Sequence, residues 1–448
     1  MKRDIYRDLQ AWRVSEHRKP LIVRGARQTG KTYILRQFGE REYGGCHYFN
    51  LEEDARLGSL FTSNLNPDRI IRDLSLYGKR DIRRGEDLII FDEIQACNDA
   101  LNALKYFNEQ ENDYHIASAG SLLGVRMSQP KSFPVGKVDF LDLYPMSFYE
   151  FLDAVGQERY RAYLENIDEI VPIPEAFHNE LTRLLRRYYL VGGMPEAVAR
   201  HAEEPDGRGY RRIQKAILDS YTLDFAKHAP ASDIPKLSMV WESLPAQLAR
   251  ENNKFLFSVI KEGARAREYE NALTWLANAG LIHRSTLVTS PQVPLKAYLE
   301  SSSFKIFACD VGLLGALADL PVDAVENDLS ILTEFHGAFV ENYTAQQLVA
   351  MMGAGLYYWK NVGRASEVDF LLQHGSIILP LEAKAGVNVR SKSLAFYSSR
   401  YQPPVAIRTS LRNLKMDRDK LNVPLYVLQC LPRLLDIALG GKGVTHEK

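Results

Sequence analysis

The feature that most constrains the fold of this chain is a glycine-rich loop between a short apolar run and a helical pattern. The loop, GARQTGKT at Gly25–Thr32, matches the pattern G-x-x-x-x-G-K-S/T at every fixed position. The run PLIVR before it predicts a strand, and KTYILRQF after it predicts an amphipathic helix. A strand, a phosphate-cradling loop and a helix in this order indicate a P-loop within an α/β domain.

The loop predicts a site for a nucleoside triphosphate, ATP with Mg²⁺. Glycines at both ends let successive backbone N–H groups face one anion, and the helix N-terminus adds about half a positive charge. Lys31 is expected to reach the β- and γ-phosphates, and the Thr32 hydroxyl to coordinate Mg²⁺. The predicted cofactor-binding residues are Gly25, Ala26, Arg27, Gln28, Thr29, Gly30, Lys31 and Thr32, with Ser121 farther along the chain.

An apolar run ending in two acids, LIIFDE, follows about sixty residues after the loop. Such a run is typical of a buried parallel strand whose carboxyl end faces a ligand crevice. Asp92 is predicted to hold Mg²⁺ through water, and Glu93 to act as the general base that polarises the attacking water. Lys31 and Glu93 are therefore the predicted catalytic residues of this site.

The next apolar run, HIASAG, leads to two serines near the predicted phosphates. Ser118 or Ser121 is a candidate to sense the γ-phosphate, and Ser121 is equally suited to cap the helix that LLGVRM predicts. Arg126 is a candidate for the arginine that stabilises the transition state of a triphosphatase.

Short β-rich runs alternate with helical stretches from Pro20 to about Phe140. This alternation predicts a parallel sheet covered by helices, in a domain of residues 1–150. The predicted strands are Leu21–Arg24, Cys46–Leu51, Asp87–Asp92, Tyr114–Ala119 and Val138–Leu143.

The middle of the chain is predicted to be helical. In residues 151–235, Leu181, Leu184, Leu185 and Tyr188 repeat at helical spacing, and a Gly-Gly pair followed by Pro195 predicts a break. Residues 236–325 suggest a winged-helix-like region, with a helix over Ala264–Gly280 before a hairpin. Acidic residues beside the arginines of that helix favour packing or a subunit contact over reading of a DNA groove.

A second set of charged residues lies in residues 326–448. The helix Glu334–Met352 carries Glu341, and two predicted strands, Glu367–Leu372 and Ser376–Ala383, follow it. Alternation places Glu382 and Lys384 on one face of a strand. A converging set of acids and a lysine suits one or two Mg²⁺ ions acting on a phosphodiester, although a solvated amphipathic hairpin is the alternative. The predicted catalytic residues are Glu341, Asp369, Glu382 and Lys384, with Asp369 and Glu382 as metal ligands.

These motifs resemble those of a bacterial and archaeal family of AAA-type ATP-binding proteins that end in a domain like the restriction-endonuclease (PD-(D/E)xK) fold. The resemblance lies in GARQTGKT, LIIFDE, LYPMSFYEFL, LVGGMPEAV and the series GAFVENY, EVDFLL and LEAKAG. It implies an AAA-like α/β core, and a restriction-endonuclease-like α/β domain centred on the four charged residues of the C-terminal set. Ala119 stands where the family more often has threonine, and Lys137 where an arginine often follows the glycine.

Net charge and composition restrict the kinds of partner and the location expected for this chain. The 448 residues have a formal net charge of zero and contain no apolar run long enough to predict a membrane segment. The four cysteines are widely spaced, which fits a reducing cytoplasm. ATP is the predicted ligand, DNA or RNA a candidate partner, and a homo-oligomer is left open. Two hypotheses remain: an ATPase coupled to a nuclease-like domain that binds or processes nucleic acid, and a nucleotide-dependent switch or scaffold whose C-terminal domain binds a partner without cleavage.

Overall fold

The computed structural model describes residues 1–120, 134–205, 207–250, 254–321, 335–353, 355–361, 366–386 and 391–440. The chain forms two compact units. Unit 1 comprises Met1–Pro145 with Asn278–Leu281, and unit 2 comprises Met146–Ala277 with Ile282–Lys448. The predicted division into four domains, at 1–150, 151–235, 236–325 and 326–448, stays a prediction. No helix among the described residues combines the length and the apolar character that a membrane span requires.

Unit 1 is built on a five-stranded sheet in which every pairing is parallel, in the order β2-β3-β4-β1-β5. The predicted parallel α/β sheet is confirmed, and each predicted strand agrees with an observed one to within one residue at either end. The strands are β1 (Leu21–Arg24), β2 (Gly45–Asn50), β3 (Asp87–Asp92), β4 (His115–Ala119) and β5 (Asp139–Asp142), and the helices are α1 (Ile5–Val14), α2 (Lys31–Glu42), α3 (Ala55–Ser59), α4 (Pro67–Gly78) and α5 (Asn98–Gln110).

Strand β3 is buried at all six positions because helices cover both faces of the sheet. Leu88 and Ile90 pack in the same core as Phe38 of α2. Ile89 and Phe91 lie in a second core, on the opposite face, with apolar residues of α4 and α5. Because side chains alternate along a strand, Asp92 shares the face of Leu88 and Ile90, the face that α2 covers.

Unit 2 contains two sheets among many helices. The strand orders are β7-β6-β8-β9 and β10-β11-β12-β14-β13. The strands are β6 (Ile282–Val288), β7 (Leu299–Ala308), β8 (Leu356–Lys360), β9 (Glu367–Val368), β10 (Phe370–His374), β11 (Ile377–Ala383), β12 (Ala406–Ser410), β13 (Lys415–Asp417) and β14 (Lys420–Pro424).

Twelve α-helices of the described residues follow β5, and eight of them lie within residues 148–278. They are α6 (Phe148–Ala154), α7 (Glu158–Glu165), α8 (Glu175–Val191), α9 (Pro195–Glu203), α10 (Gly209–His228), α11 (Ile234–Leu248), α12 (Phe257–Ile260), α13 (Ala266–Asn278), α14 (Val311–Leu317), α15 (Phe335–Met352), α16 (Lys392–Tyr401) and α17 (Leu431–Ala438).

Helices α11, α12 and α13 precede the antiparallel pair β6 and β7, which is the order predicted for a winged-helix-like region. The pair is not a free wing, however, because β8 adds to β6 in parallel and β9 follows β8. One predicted strand is wrong: Glu367–Leu372 is interrupted at Asp369, which lies between β9 and β10. The two segments belong to different sheets, so the chain changes sheet at this residue.

The Gly-Gly pair after α8 is explained by a buried carboxylate. The Gly193 N–H donates to Asp310 Oδ2 (2.6 Å), and the Leu313 N–H donates to Asp310 Oδ1 (2.9 Å). A Cβ on Gly192 would lie 2.2 Å from Asp310 Oδ1, and one on Gly193 would lie 2.1 Å from the Met146 carbonyl oxygen. Burial raises the pKa of Asp310, and these backbone hydrogen bonds oppose the rise.

Two further side chains extend this hydrogen-bonded network to α8 and α15. The Tyr188 hydroxyl donates to the Met146 carbonyl (2.5 Å), and Gln346 Nε2 donates to the Tyr188 oxygen (2.9 Å). The Val311 N–H donates to Gln346 Oε1 (2.9 Å). Segments distant in sequence are therefore held together by satisfied buried polar groups.

Candidate functional site

The P-loop backbone requires both of its glycines. Gly25 has φ +145°, and a Cβ there would lie 2.1 Å from the Leu143 carbonyl oxygen. Gly30 has φ +92°, a left-handed conformation, immediately before α2 begins. Thr29 Oγ1 donates to the Ala26 carbonyl (2.9 Å) and braces the loop internally. The loop therefore enters α2 through a tight turn that only this glycine spacing permits.

Lys31 is the first residue of α2, and its side chain folds over the loop. Its Nζ donates to the carbonyl oxygens of Gly25 (2.9 Å) and Ala26 (2.8 Å). Burial lowers the pKa of Lys31 to about 8, against the opposing influence of Glu93 and Asp92. The ammonium group is still mostly protonated at neutral pH, so it carries a positive charge within the loop.

Asp92, at the carboxyl end of β3, is joined to the P-loop helix. Thr32 Oγ1 donates to Asp92 Oδ2 over 2.8 Å, and the Tyr48 hydroxyl donates to the same oxygen over 2.8 Å. The hydroxyl and the carboxylate thus form a pair of oxygens, which is the donor chemistry that Mg²⁺ prefers. Burial, together with the hydrogen bond to Asp92, raises the pKa of Tyr48.

Glu93 follows Asp92 in a conformation that few residues other than glycine adopt, with φ +48°. Its N–H donates to Asp92 Oδ1 (3.1 Å), and Gln95 Nε2 donates to Glu93 Oε2. This turn moves the Glu93 side chain out of the strand's alternation. Strained backbone of this kind at the end of a strand often accompanies a functional site.

The γ-phosphate sensor is only partly defined. Ser118 of β4 is paired in register with Ile22 and Phe91, so it lies on the face opposite to Asp92. Its hydroxyl is buried and has no hydrogen-bond partner in the described part of the chain. Ala119, on the face of Asp92, has no hydroxyl. The other two candidates, Ser121 and Arg126, lie outside the described residues.

The sequence analysis missed two residues that position this site, Tyr48 and Arg3. The guanidinium of Arg3, which is 8% exposed, donates to the Thr29 carbonyl (2.8 Å) and to the Tyr144 carbonyl (2.6 Å). Arg3 thereby ties the P-loop to the segment after β5. No local pattern marks Arg3, because its contacts are with backbone atoms 26 and 141 residues away.

Replacing Arg3 with methionine is expected to weaken ATP binding about tenfold. Each hydrogen bond to a charged group contributes about 1.5–3 kcal/mol, and part of that energy holds the P-loop in shape. Calorimetric titration with Mg-ATP measures the effect. Lys2→Met, at the exposed neighbouring position, is the control and should bind as the unchanged chain does. Equal affinity in both variants would contradict a positioning role for Arg3.

The C-terminal set of charged residues is brought together in unit 2. Lys384 Nζ lies 2.7 Å from Glu382 Oε1, and the Ala383 N–H donates to Asp369 Oδ2 (2.9 Å). Continuing the β10–β11 register places Asp369 opposite Glu382. Glu341 of α15 is close enough to raise the pKa of Asp369, after the larger influence of burial. All four predicted residues therefore share one locality.

A buried lysine that the sequence analysis missed lies among these acids. Lys305 of β7 has its Nζ 2.6 Å from Glu367 Oε1 and 3.6 Å from Glu341 Oε2. Burial alone would lower the pKa of Lys305, but the carboxylates of Glu341, Glu367 and Asp369 raise it. We refer to Lys305, Glu341, Glu367, Asp369, Glu382 and Lys384 as the carboxylate–lysine cluster.

One buried acceptor of the cluster has no partner among the residues that the structure describes. Glu382 is 4% exposed, and its Oε2 has no hydrogen-bond partner. A buried carboxylate oxygen without a partner is costly unless a cation or a donor satisfies it. Within the described residues, however, no group of three or more His, Cys, Asp or Glu side chains is arranged to hold a metal ion. The metal role predicted for Asp369 and Glu382 thus depends on two carboxylates and stays a prediction.

Residues 17–152 match the family description "AAA domain". Residues 182–324 and 336–428 match two families that are described as domains of unknown function, DUF8612 and DUF4143. The match over residues 17–152 contains the P-loop, Asp92 and Glu93, so this part of the chain is similar to an AAA-type P-loop domain. The restriction-endonuclease-like fold predicted for the C-terminal region stays a prediction. Comparison with curated proteins gives no match.

Several solved structures have a low overall similarity to the chain. The Walker-type ATPase of Pyrococcus abyssi has 15% identity and a TM-score of 0.42, with 71% of this chain and 95% of that chain covered. The Aeropyrum pernix ORC1 protein in complex with DNA has 15% identity and a TM-score of 0.27, over 71% and 91%. The Thermotoga maritima RuvB Holliday junction branch migration motor has 15% identity and a TM-score of 0.29, over 64% and 90%.

Proposed function

We propose that the AAA-type P-loop domain of residues 17–152 binds ATP with Mg²⁺ and hydrolyses it. The observation that carries this proposal is the 2.8 Å hydrogen bond between Thr32 Oγ1 and Asp92 Oδ2. It joins two motifs sixty residues apart into one pair of oxygen ligands, beside the buried ammonium group of Lys31. Charge complementarity to a triphosphate and ligands for its metal then lie within one site.

Each residue of the site has a distinct role in this reaction. Lys31 holds the β- and γ-phosphates by its charge, and the N–H groups of the loop and of the first turn of α2 bind their oxygens. Thr32 and Asp92 would hold Mg²⁺, and the bound ion would supply positive charge next to the phosphates. Glu93 accepts a proton from the attacking water, which it orients from the adjoining turn.

The test is a turnover assay of ATP with and without single- and double-stranded nucleic acid. Turnover in any of these conditions, lost when the P-loop is altered, supports the proposal. Stimulation by one kind of nucleic acid identifies the partner class. An absence of Mg-ATP binding in calorimetry would reject the proposal altogether.

We also propose a second function, in which Asp369 and Glu382 hold Mg²⁺ and unit 2 processes DNA or RNA. The supporting observation is the unpartnered, buried Oε2 of Glu382, opposite Asp369 in the β10–β11 register. Lys384, 2.7 Å from Glu382, supplies charge next to a phosphodiester. The competing proposal is a domain that binds a partner without cleavage while the nucleotide acts as a switch.

Asp369→Asn is expected to abolish any Mg²⁺- or Mn²⁺-dependent cleavage of DNA or RNA while ATP binding in unit 1 is kept. The amide is the same size but cannot offer a charged ligand, so the metal loses one of its two carboxylates. A nicking assay on plasmid and on labelled RNA measures cleavage. Asp417→Asn, at an exposed position of β13, should cleave normally. If the unchanged chain cuts neither substrate with either metal, the partner-binding proposal gains.

A further inference from the structure

We propose that Lys305 occupies the place of a second divalent cation in the carboxylate–lysine cluster, so that the cluster binds one metal ion and not two. This inference rests on the proposed metal role of Asp369 and Glu382. It gives a role to Lys305, which is not part of the sequence pattern that predicted the site. Its basis is the position of Lys305 among the acids and the charge balance that follows.

Lys305 is buried as few lysines are, with 1% of its side chain exposed. Its Nζ bridges two carboxylates, Glu367 at 2.6 Å and Glu341 at 3.6 Å, and lies 5.2 Å from the centroid of the Tyr358 ring. A buried ammonium group requires such partners, because the loss of its hydration would otherwise cost several kcal/mol. The carboxylates of Glu341 and Glu367 are thus engaged by a cation that belongs to the chain.

The remaining acids are placed differently. Asp369 accepts one hydrogen bond from the backbone N–H of Ala383, and Glu382 is paired through Oε1 with Lys384 and retains a free Oε2. Lys384 is 33% exposed, so its ammonium group can move toward solvent at little cost. A divalent ion therefore has an unpartnered ligand at Glu382 Oε2 beside Asp369, whereas Glu341 and Glu367 already contact the ammonium group of Lys305.

Formal charge leads to the same number of ions. When all four carboxylates are ionised, as they would be around a bound cation, Lys305 and Lys384 leave a charge of −2, which one divalent ion neutralises and two would reverse. Lys360 Nζ lies 3.6 Å from Glu367 Oε2, farther than the 2.6 Å contact of Lys305. Counting the charge of Lys360 as well leaves −1, which is still further from the charge that two divalent ions would balance. Without Lys305, the acids would carry one more uncompensated negative charge in a site of low dielectric, and their attraction for a cation would increase.

The experiment counts Mn²⁺ ions bound to the full chain, without nucleotide, by electron paramagnetic resonance of free Mn²⁺. The unchanged chain is expected to bind one ion that Asp369→Asn removes. Lys305→Met should bind a second ion at the cluster, or bind the first at least tenfold more tightly. Lys360→Met is the matched control, since it removes a half-buried lysine that also contacts Glu367, and it should bind as the unchanged chain does. Lys305→Arg keeps the charge and should also bind one ion.

The possible outcomes distinguish the role proposed for Lys305 from the metal role proposed for Asp369 and Glu382. Two ions lost with Asp369→Asn in the unchanged chain would overturn the role of Lys305 even if Lys305→Met failed to fold. One ion in the unchanged chain, with Lys305→Met folded by circular dichroism and no different from Lys360→Met, would also overturn it and leave the metal role of Asp369 intact. No Mn²⁺ sensitive to Asp369→Asn would reject the metal role itself, and ATP turnover in unit 1 is measured independently of both.

Discussion

Lys31→Ala is expected to reduce ATP turnover at least a hundredfold, to the background of the assay. The side chain supplies the charge that meets the β- and γ-phosphates, and Lys31 is the single lysine in the loop sequence GARQTGKT. Loss of a charged contact to a phosphate that gains charge in the transition state removes about 3 kcal/mol or more. Phosphate release at saturating Mg-ATP measures turnover, and calorimetry measures binding.

The control for this variant is Lys105→Ala, which removes an exposed lysine from α5 of the same unit. It should hydrolyse ATP at the original rate. Turnover by Lys31→Ala at that same rate would show that the loop does not hold the reacting phosphates. Thermal unfolding of both variants checks that the loss does not come from a misfolded unit 1, since Lys31 Nζ also braces the loop through Gly25 and Ala26.

Glu93→Gln is expected to separate binding from chemistry. The amide has the size and shape of the carboxylate but cannot accept the proton of the attacking water, so turnover should fall about 10²–10⁴-fold while Mg-ATP affinity changes little. Single-turnover kinetics with calorimetry distinguishes the two quantities. Asp92 and Thr32, which hold the metal in our proposal, are untouched by this change.

Glu53→Gln, at an exposed position after β2, is the matched control and should leave turnover unchanged. A Glu93→Gln variant that hydrolyses ATP at the original rate would rule out Glu93 as the general base. A variant that fails to bind Mg-ATP would instead indicate that the turn at φ +48°, with its contact to Gln95, shapes the site.

The sequence predicted the parts of unit 1 that depend on neighbours along the chain. Alternation and flanking turns located all five strands, and the P-loop pattern located Lys31 and Thr32 at the start of α2. Asp92 lies beside Thr32 because the carboxyl end of β3 and the P-loop after β1 are at the same edge of a parallel sheet. Arg3 and Tyr48 could not be found in this way. Their partners are set by the packing of α1 and β2, which no spacing within the sequence encodes.

The same limit applies to the cluster in unit 2. The pattern of Asp369, Glu382 and Lys384 depends on a local hairpin and was visible in the sequence. Lys305 reaches this cluster from a strand of the other sheet, more than sixty residues upstream, and its segment FKIF has the appearance of an ordinary buried strand. The break at Asp369 was also hidden, because a change of sheet leaves the alternation of apolar residues intact.

The buried Asp310 has a practical consequence for anyone who wishes to divide or graft this protein. Asp310 accepts backbone hydrogen bonds from Gly193 and Leu313, and Gln346 connects it to α15. A fragment that begins after Gly193, or that ends between Asp310 and Gln346, would keep the buried Asp310 carboxylate but lose one or more of the donors that compensate its burial. Residues from Met146 to the end of α15 should therefore be kept together in any fragment or chimera of this protein.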